Sequence, residues 1–466
     1  MNVTEQPPEP EPRSPGIHTV RHDLPVSGEL RTFFAQDWDP APTPSVTPLP
    51  AARHTPARRA RLSALFPGER LIVPAGELRV RSNDCDHRFR PYSAYTWLTG
   101  LAGEDQAGNV LVMEPSGAHG HEAVLYLRPR SPRGGGDDAF YRDRRYGEFW
   151  VGRRPDLDEA ERLTGLRCAH LDRYTDVPPG RRAAQDPELT RALSELRLVK
   201  DAWEVEQLEL AVRHTVSGFE DVARALPRAL AHPRGERWIE GVFGLRARAE
   251  GNGTGYETIA ASGAHACVLH WIRNDGALDP RDLLLLDAGV ETDTLYTADI
   301  TRTLPLSGRF SPAQRQVYEL VLAAQEAGIA ALRPGASFRD FHRAGMRVIA
   351  EGLAEWGVLK SPEGDLHRRY TLCSSGHMLG LDVHDCAQAR AETYLDGVLA
   401  EGHVLTVEPG LYLQPDDLTL PPELRGIGVR IEDDLVITAE GARLLSGGLP
   451  RTPDEVEEWT GTLREG

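Results

Sequence analysis

The chain has 466 residues, 40% of them hydrophobic, and a formal net charge of −17. That length exceeds one ordinary domain and makes two domains the natural expectation. The acidic balance argues against nucleic acid or an anionic membrane surface as the main partner, and no apolar run approaches the length of a membrane span.

The opening MNVTEQPPEPEPRSPG lacks the basic start and apolar middle of a secretory signal, so a cytoplasmic protein is expected. The five cysteines (Cys85, Cys168, Cys267, Cys373, Cys386) are scattered and form no C-x-x-C pair, which argues against a disulfide framework or a zinc knuckle. Lysine occurs only at 200 and 360, every other basic residue being Arg. Because the arginines are spread throughout, this reads as a coding bias.

Residues 1–57 are rich in Pro and poor in periodicity, and an extended or partly ordered arm is expected there. From ARRARLSALFPGERLIVPAG the pattern changes to a short helix and a strand, followed by strand-like runs NVLVMEP and EAVLYLRP. The Gly- and charge-rich RSPRGGGDDAF reads as a solvated loop. Residues 58–195 are therefore expected to form a smaller mixed α/β N-terminal domain.

A helix starts near residue 199 in VKDAWEVEQLELAVRHTVSGFEDVARAL, with Val205, Leu208, Ala211 and Val212 at roughly helical spacing. In FSPAQRQVYELVLAAQEAGIAAL, Ser311 is the N-cap, Pro312 the first helical residue and Gln314 the partner that closes a capping box. A further helix, SFRDFHRAGMRVIAEGLAEWG, ends at Gly357. Around these helices lie strand candidates LLLLDAG, LYTADITRTLP, HVLTVEPGLYL and GIGVRIEDDLVIT. Residues 196–450 thus read as a sheet backed by helices, an α+β layout, with 451–466 as a C-terminal tail.

Each of these strands carries a polar residue where the pattern predicts burial: Asp287, Asp299, Glu408 and Glu432, joined by His377 and His384 from SSGHMLGLDVHD. Singly, each has an ordinary explanation. Asp287 before Ala-Gly could cap a turn, Glu432 could face solvent, and His377 could be a core histidine bonded to backbone. Together they differ, because like charges gathered in a dry site cannot all ionise without a cation. Four carboxylates and one imidazole suit two divalent ions, with manganese, cobalt or zinc favoured over a thiolate-selected metal. Alternation places Arg430 on the face of Glu432, where it can orient a ligating carboxylate or bind a substrate carboxylate, and turns Arg302 away toward a structural partner.

These motifs, in this order, resemble the metal-site segments of the pita-bread metallopeptidases, and GYETIAASGAHACVLHW is similar to their substrate-site segment. Within that group the chain resembles the aminopeptidase P (Xaa-Pro aminopeptidase) branch, with prolidase close behind, over about residues 58 to 450. The resemblance implies a C-terminal pita-bread catalytic domain and a dinuclear site held by Asp287, Asp299, His377, Glu408 and Glu432. Most often the ions would be Mn2+, with Co2+ or Zn2+ as alternatives. It implies that Glu408 handles protons, that His270 and His384 surround the scissile peptide, and that Tyr256, Tyr412 and Arg430 occupy further substrate-binding positions. It also implies that Asp84, in RSNDCDHRFRPYSAYTWLTG and followed by Arg90, reaches the active site of a neighbouring subunit in a homodimer or homotetramer.

The expected activity is release of an N-terminal residue from peptides with proline second, Xaa-Pro-Yaa. The alternative is a dipeptidase on Xaa-Pro. A non-catalytic binding relative is the rival class, opposed by the presence of all five ligand positions. Two departures stand out. The gap from Asp287 to Asp299 is one residue longer than usual, which the turn VETDT can absorb, whereas a slip within the strand would flip Asp299 off the metal face. Cys373 stands where an H-G-x-x-H pattern would put its first histidine. GNGTGY (251–256) follows a helix and lacks phosphate-loop spacing, and Cys373 and Cys386 lack any cysteine-hydrolase signature.

Overall fold

The structure, a computed structural model, describes residues 27–38, 45–117, 120–131, 139–372 and 374–465. Most of the expected arm, most of the RSPRGGGDDAF loop, and Cys373 lie outside the described residues. The arm is nonetheless shorter than 57 residues, since a helical turn occupies Pro50–Arg53 and a helix runs Thr55–Leu65. Pro56 sits in the first turn of that helix, where its missing N–H costs nothing.

In the N-terminal half, strand Leu71–Pro74 pairs antiparallel with Val110–Ser116 and parallel with Arg181–Arg182. Val110–Ser116 continues antiparallel to Gly120–Leu127, which pairs parallel with Arg167–His170. Alternation sorts the two faces. Leu71, Val73, Leu111, Met113 and Leu125 pack on Leu62, Trp97, Leu98 and Leu189 of the covering helices. Ile72, Val110 and Val112 face the other way, against Leu171 and Tyr174.

In the C-terminal half, strand Leu283–Ala288 lies between Ile259–Ser262 and Ile300–Pro305, all antiparallel. Leu284, Leu286 and Ala288 pack on Phe219, Val222, Ile239 and Phe243 of the long helices Ala202–Leu230 and Gly235–Glu250. Leu283, Leu285 and Asp287 take the opposite face, so the acid that ends the leucine run points away from the helices. The capping box of Ser311 and Gln314 forms as expected, opening the helix Pro312–Ala331. Residues expected as a tail instead form the helix Pro453–Glu465, whose Val456 is fully buried in the core with Tyr318 and Phe310.

Two strand expectations are corrected. HVLTVEPGLYL divides into Val404–Val407 and Gly410–Tyr412, and GIGVRIEDDLVIT into Gly428–Arg430 and Asp433–Thr438. Pro409 has no N–H to give a ladder, so the pairing lapses at this point. The register survives the gap: Val407 faces Asp433 and Gly410 faces Arg430, which sets Glu408 opposite Glu432.

Candidate metal centre

Two acids directly opposite on one sheet face repel, and a sheet does not place them there without compensation. Around Glu408 and Glu432 the fold brings in the other acids from the hairpin Leu283–Ala288/Ile300–Pro305. Asp287 faces Thr301 across it, and the turn beyond closes at Thr292–Tyr296, where Leu295 takes a positive φ of 69°. The pairing stays in step through the Glu291–Thr297 bridge, so the longer connection is absorbed in the turn. Asp299 therefore shares the face of Asp287 rather than flipping from it. Gly289 leaves the space this needs: a Cβ there would meet Ala298 O at 1.8 Å and the Tyr256 ring at 3.1 Å.

Asp287 is buried. Its Oδ2 accepts from Arg430 Nη2 at 2.6 Å and its Oδ1 lies 2.7 Å from the Tyr256 hydroxyl. The same hydroxyl is 2.5 Å from Asp299 Oδ1. A phenol has one proton, so it can satisfy only one of these two carboxylates fully. Burial, with the charges of Asp287 and Asp299, pushes the Tyr256 phenol well above its ordinary value and keeps that proton in place. On its other side Asp299 Oδ2 lies 3.2 Å from His377 Nε2, which is 3.5 Å from Glu408 Oε1.

Glu432 is 1% exposed, which removes the reading of a solvated strand face. Its Oε2 accepts from Thr301 Oγ1 at 2.7 Å, while its Oε1 is buried with no hydrogen-bond partner. An orphaned carboxylate oxygen in a dry pocket is a large cost that a cation removes. Asp299, His377 and Glu432 each present a ligand atom, all within 4.8 Å of one another. The donor set is oxygen-rich with one imidazole, and it fits hard or borderline divalent ions.

The electrostatics agree. Burial, with Asp299, Glu408 and Asp287 nearby, drives the Glu432 carboxyl well above the carboxylate range. Burial raises Glu408 to about 7, against the pull of His377 and Arg430. Burial also raises Asp287, though Arg430 opposes it. For His377, burial disfavours the charged ring, but Asp299 and Glu408 outweigh it and lift the pKa to about 9. A site that holds protons this tightly is one whose negative charge lacks a partner.

The remaining expected residues are distributed unevenly. The His384 ring stands edge-on to His377, centroids 4.5 Å apart, and burial followed by the His377 charge lowers its pKa. His270, exposed after the turn Gly263–Cys267, is near enough to depress His384 further. Arg430 is buried and committed to Asp287, Thr301 Oγ1 (3.1 Å) and the Tyr412 hydroxyl (3.0 Å), so its guanidinium holds the Asp287 carboxylate in place. Arg302 turns away to Asp433 Oδ1 (2.7 Å), Glu432 O (2.6 Å) and Pro450 O (2.8 Å), as alternation implied. Asp84 is not gathered into this chain's own cluster. It sits at the exposed turn between Val80–Ser82 and Cys85–Asp86, 3.7 Å from Arg144 Nη1.

Sequence reasoning missed Asp434, whose Oδ2 accepts from Asp299 N at 3.1 Å while Oδ1 stays buried without a partner. It also missed Glu236, which holds the segment carrying His270. Strict alternation through VRIEDDLV could have flagged Asp434, since it shares the face of Glu432.

Comparison with known proteins gives the same picture. Residues 206–439 match metallopeptidase family M24, and residues 55–185 match the aminopeptidase P, N-terminal domain. Xaa-Pro aminopeptidase 1 of Streptomyces coelicolor is 52% identical, with 94% of this chain and 93% of the relative aligned. The solved aminopeptidase PepP of Pseudomonas aeruginosa superposes with a TM-score of 0.75 at 32% identity, covering 90% of this chain and 100% of that one. Zinc-substituted aminopeptidase P of Escherichia coli in complex with product gives 0.74 at 28% identity, covering 89% and 99%. The two-domain arrangement, with a pita-bread catalytic domain at the C-terminal end, is thereby borne out.

Proposed function

The chain belongs to metallopeptidase family M24, and from that premise we propose that it is a dinuclear-metal aminopeptidase releasing the first residue of Xaa-Pro-Yaa peptides. The observation that carries this is the buried convergence of Asp299, His377 and Glu432 beside Glu408 and Asp287. The 52% identical relative, a Xaa-Pro aminopeptidase along nearly its whole length, supports the substrate class.

On this reading Asp287, Asp299, His377, Glu408 and Glu432 would together hold the two ions. When bound, two divalent ions supply Lewis acidity at the scissile carbonyl and lower the pKa of an attacking water. Glu408 would take the proton of the nucleophile and return it to the leaving proline nitrogen. His384, kept neutral by burial, and His270 would offer N–H groups to the oxygen that gains charge. Arg430 holds Asp287 in its ligating orientation. Tyr256 keeps its proton and separates Asp287 from Asp299.

Manganese as the resident metal, a homodimer or homotetramer completed by Asp84, and a cytoplasmic location are the finer parts of the proposal. Among the described residues no helix is long and apolar enough to cross a membrane. The test is turnover of Xaa-Pro-Yaa tripeptides and Xaa-Pro dipeptides by protein loaded with Mn2+. Tripeptide cleavage is expected, and cleavage of dipeptides alone would assign a prolidase instead.

A further inference from the structure

Lys200, one of only two lysines in the chain, is fully buried rather than placed at random. Its Nζ donates to Asp385 Oδ2 at 2.9 Å. Arg197, ending the helix Pro187–Arg197, donates to Asp385 Oδ1 and, at 2.7 Å, to Asp382 Oδ2. Ser93 Oγ from the N-terminal domain donates to Asp382 Oδ1 at 2.5 Å. Arg90 bonds Leu381 O and, at 2.7 Å, Glu291 Oε2. Burial opposes ionisation of Asp385, but Arg197 and Lys200 overcome it and hold the carboxylate well below its usual range.

His384 stands between these two acids. Residues 379–386 form neither helix nor strand, and five backbone bonds hold their path: Leu379 N to Val404 O (2.9 Å), Gly380 N to Asp382 O (3.2 Å), Asp385 N to Met378 O (2.9 Å), Thr297 N to Gly380 O (3.1 Å) and Ala389 N to Cys386 O (2.9 Å). Cys386 closes the segment in the left-handed region, at φ 60°. An irregular loop without a regular backbone ladder takes part of its geometry from side-chain anchors. The loop packs closely on the lysine: a Cβ at Gly380 would lie 2.3 Å from Asp385 Oδ2 and 3.0 Å from Lys200 Cε.

We propose that Lys200 and Arg197 are positioning residues that act through Asp385 and Asp382. They fix His384 against His377 from the start of the catalytic domain, and Ser93 and Arg90 tie the same loop to the N-terminal domain. The proposal rests on the reading of His384 as a group facing the scissile peptide. It also gives the N-terminal domain a role within one subunit, separate from any contribution of Asp84 to a neighbour. A misplacement of about 1 Å costs on the order of 100-fold in rate even when the chemistry is untouched.

The test is Lys200→Met, which keeps the stem and removes the charge, assayed with Xaa-Pro-Yaa in Mn2+ in the unmodified and the His384→Ala backgrounds. In the unmodified background kcat falls about 10- to 100-fold, with KM and bound metal nearly unchanged. In the His384→Ala background the same substitution changes kcat less than about twofold, because its effect runs through the missing ring. Equal losses in both backgrounds overturn the proposal. Asp382→Asn, at the outer end of the network, gives a smaller loss in the same direction and serves if Lys200→Met does not fold. Imidazole 15N resonances of His384 in metal-free protein read the geometry without activity: both variants should shift them, and unchanged resonances overturn the proposal. Absence of any peptide turnover by the unmodified chain would instead remove the functional reading.

Discussion

Glu236 gives the sharpest test of how the active-site wall is built. It is fully buried in the first turn of Gly235–Glu250, and its two oxygens serve four donors. Oε1 accepts from Ser262 N (2.9 Å) and His265 Nδ1 (2.7 Å), and Oε2 from Trp271 Nε1 (2.9 Å) and Gly276 N (2.7 Å). These donors span the segment that carries His270, and Trp271 is further clamped between His265, stacked at 3.8 Å, and Arg273, at 4.2 Å. Glu236→Gln preserves the shape but turns one acceptor oxygen into a donor. With the NH2 at the Oε2 position it faces two N–H groups; at the Oε1 position it faces that of Ser262, while the His265 ring can change tautomer and accept. One to two hydrogen bonds to a charged acceptor are lost, at roughly 1.5–3 kcal/mol each, for a destabilisation of about 1.5–6 kcal/mol. Urea denaturation followed by kcat/KM for Xaa-Pro-Yaa measures both consequences. A change under about 1 kcal/mol with unaltered kcat/KM would refute the idea that this carboxylate organises the wall.

Glu408→Gln should lower kcat by about 100- to 10,000-fold while leaving the denaturation midpoint in place, since it removes a proton carrier of the same shape; near-normal turnover would take the base assignment away. Removing metal with a chelator should lower the urea midpoint, because Glu432 Oε1 and the facing Glu408 lose their compensation, and titration with Mn2+ should restore it. The metal-free protein should also lose stability as pH rises. His377 goes from 6.5 unfolded to about 9 folded and Glu408 from 4.5 to about 7, so both favour the folded state at low pH and give up that advantage across these windows. A midpoint that rises from pH 5 to 9 in the absence of metal contradicts this. Arg302→Met takes the nearest cation from the buried Asp433, leaving it Ser446, Gln325 and the more distant Arg451, and should cost about 3 kcal/mol by urea denaturation.

Much of the site was legible because its residues break a rule that the flanking residues obey. Asp287 ends a run of leucines, and Glu408 and Glu432 interrupt apolar strands, so the cluster could be read from the recurrence of the same anomaly although no single acid was decisive. The lapse of both ladders was not legible. Pro409 announced one break, but the matching break at Ile431–Glu432 follows from the facing strand, which no local pattern reveals. Glu236 lies in a first helical turn, where an acid ordinarily answers the helix dipole, and its four partners come from a distant loop. Lys200 resembled a compositional accident until its buried partner Asp385 was seen. The helix Pro453–Glu465 could have been found, since Val456, Trp459, Thr460 and Leu463 follow helical spacing in a stretch with acids at its start.

The direction of the carboxylate oxygens argues for two ions rather than one. Asp299 turns Oδ1 toward Tyr256 and Asp287, and Oδ2 toward His377, so its two oxygens address different neighbours. Glu432 does likewise, with Oε2 taken by Thr301 and Oε1 left toward the pocket. Arg430 bonds Asp287, and His377 is the nearest cation to Asp299 and Glu408, which leaves Glu432 with no ion-pair partner among the described residues. Positive charge near His377 alone would leave Asp287 and Asp299 sharing one phenol proton, with Arg430 as the cation on that side. A second cation between Asp287 and Asp299 would relieve that conflict further, which is the electrostatic case for a paired-metal centre.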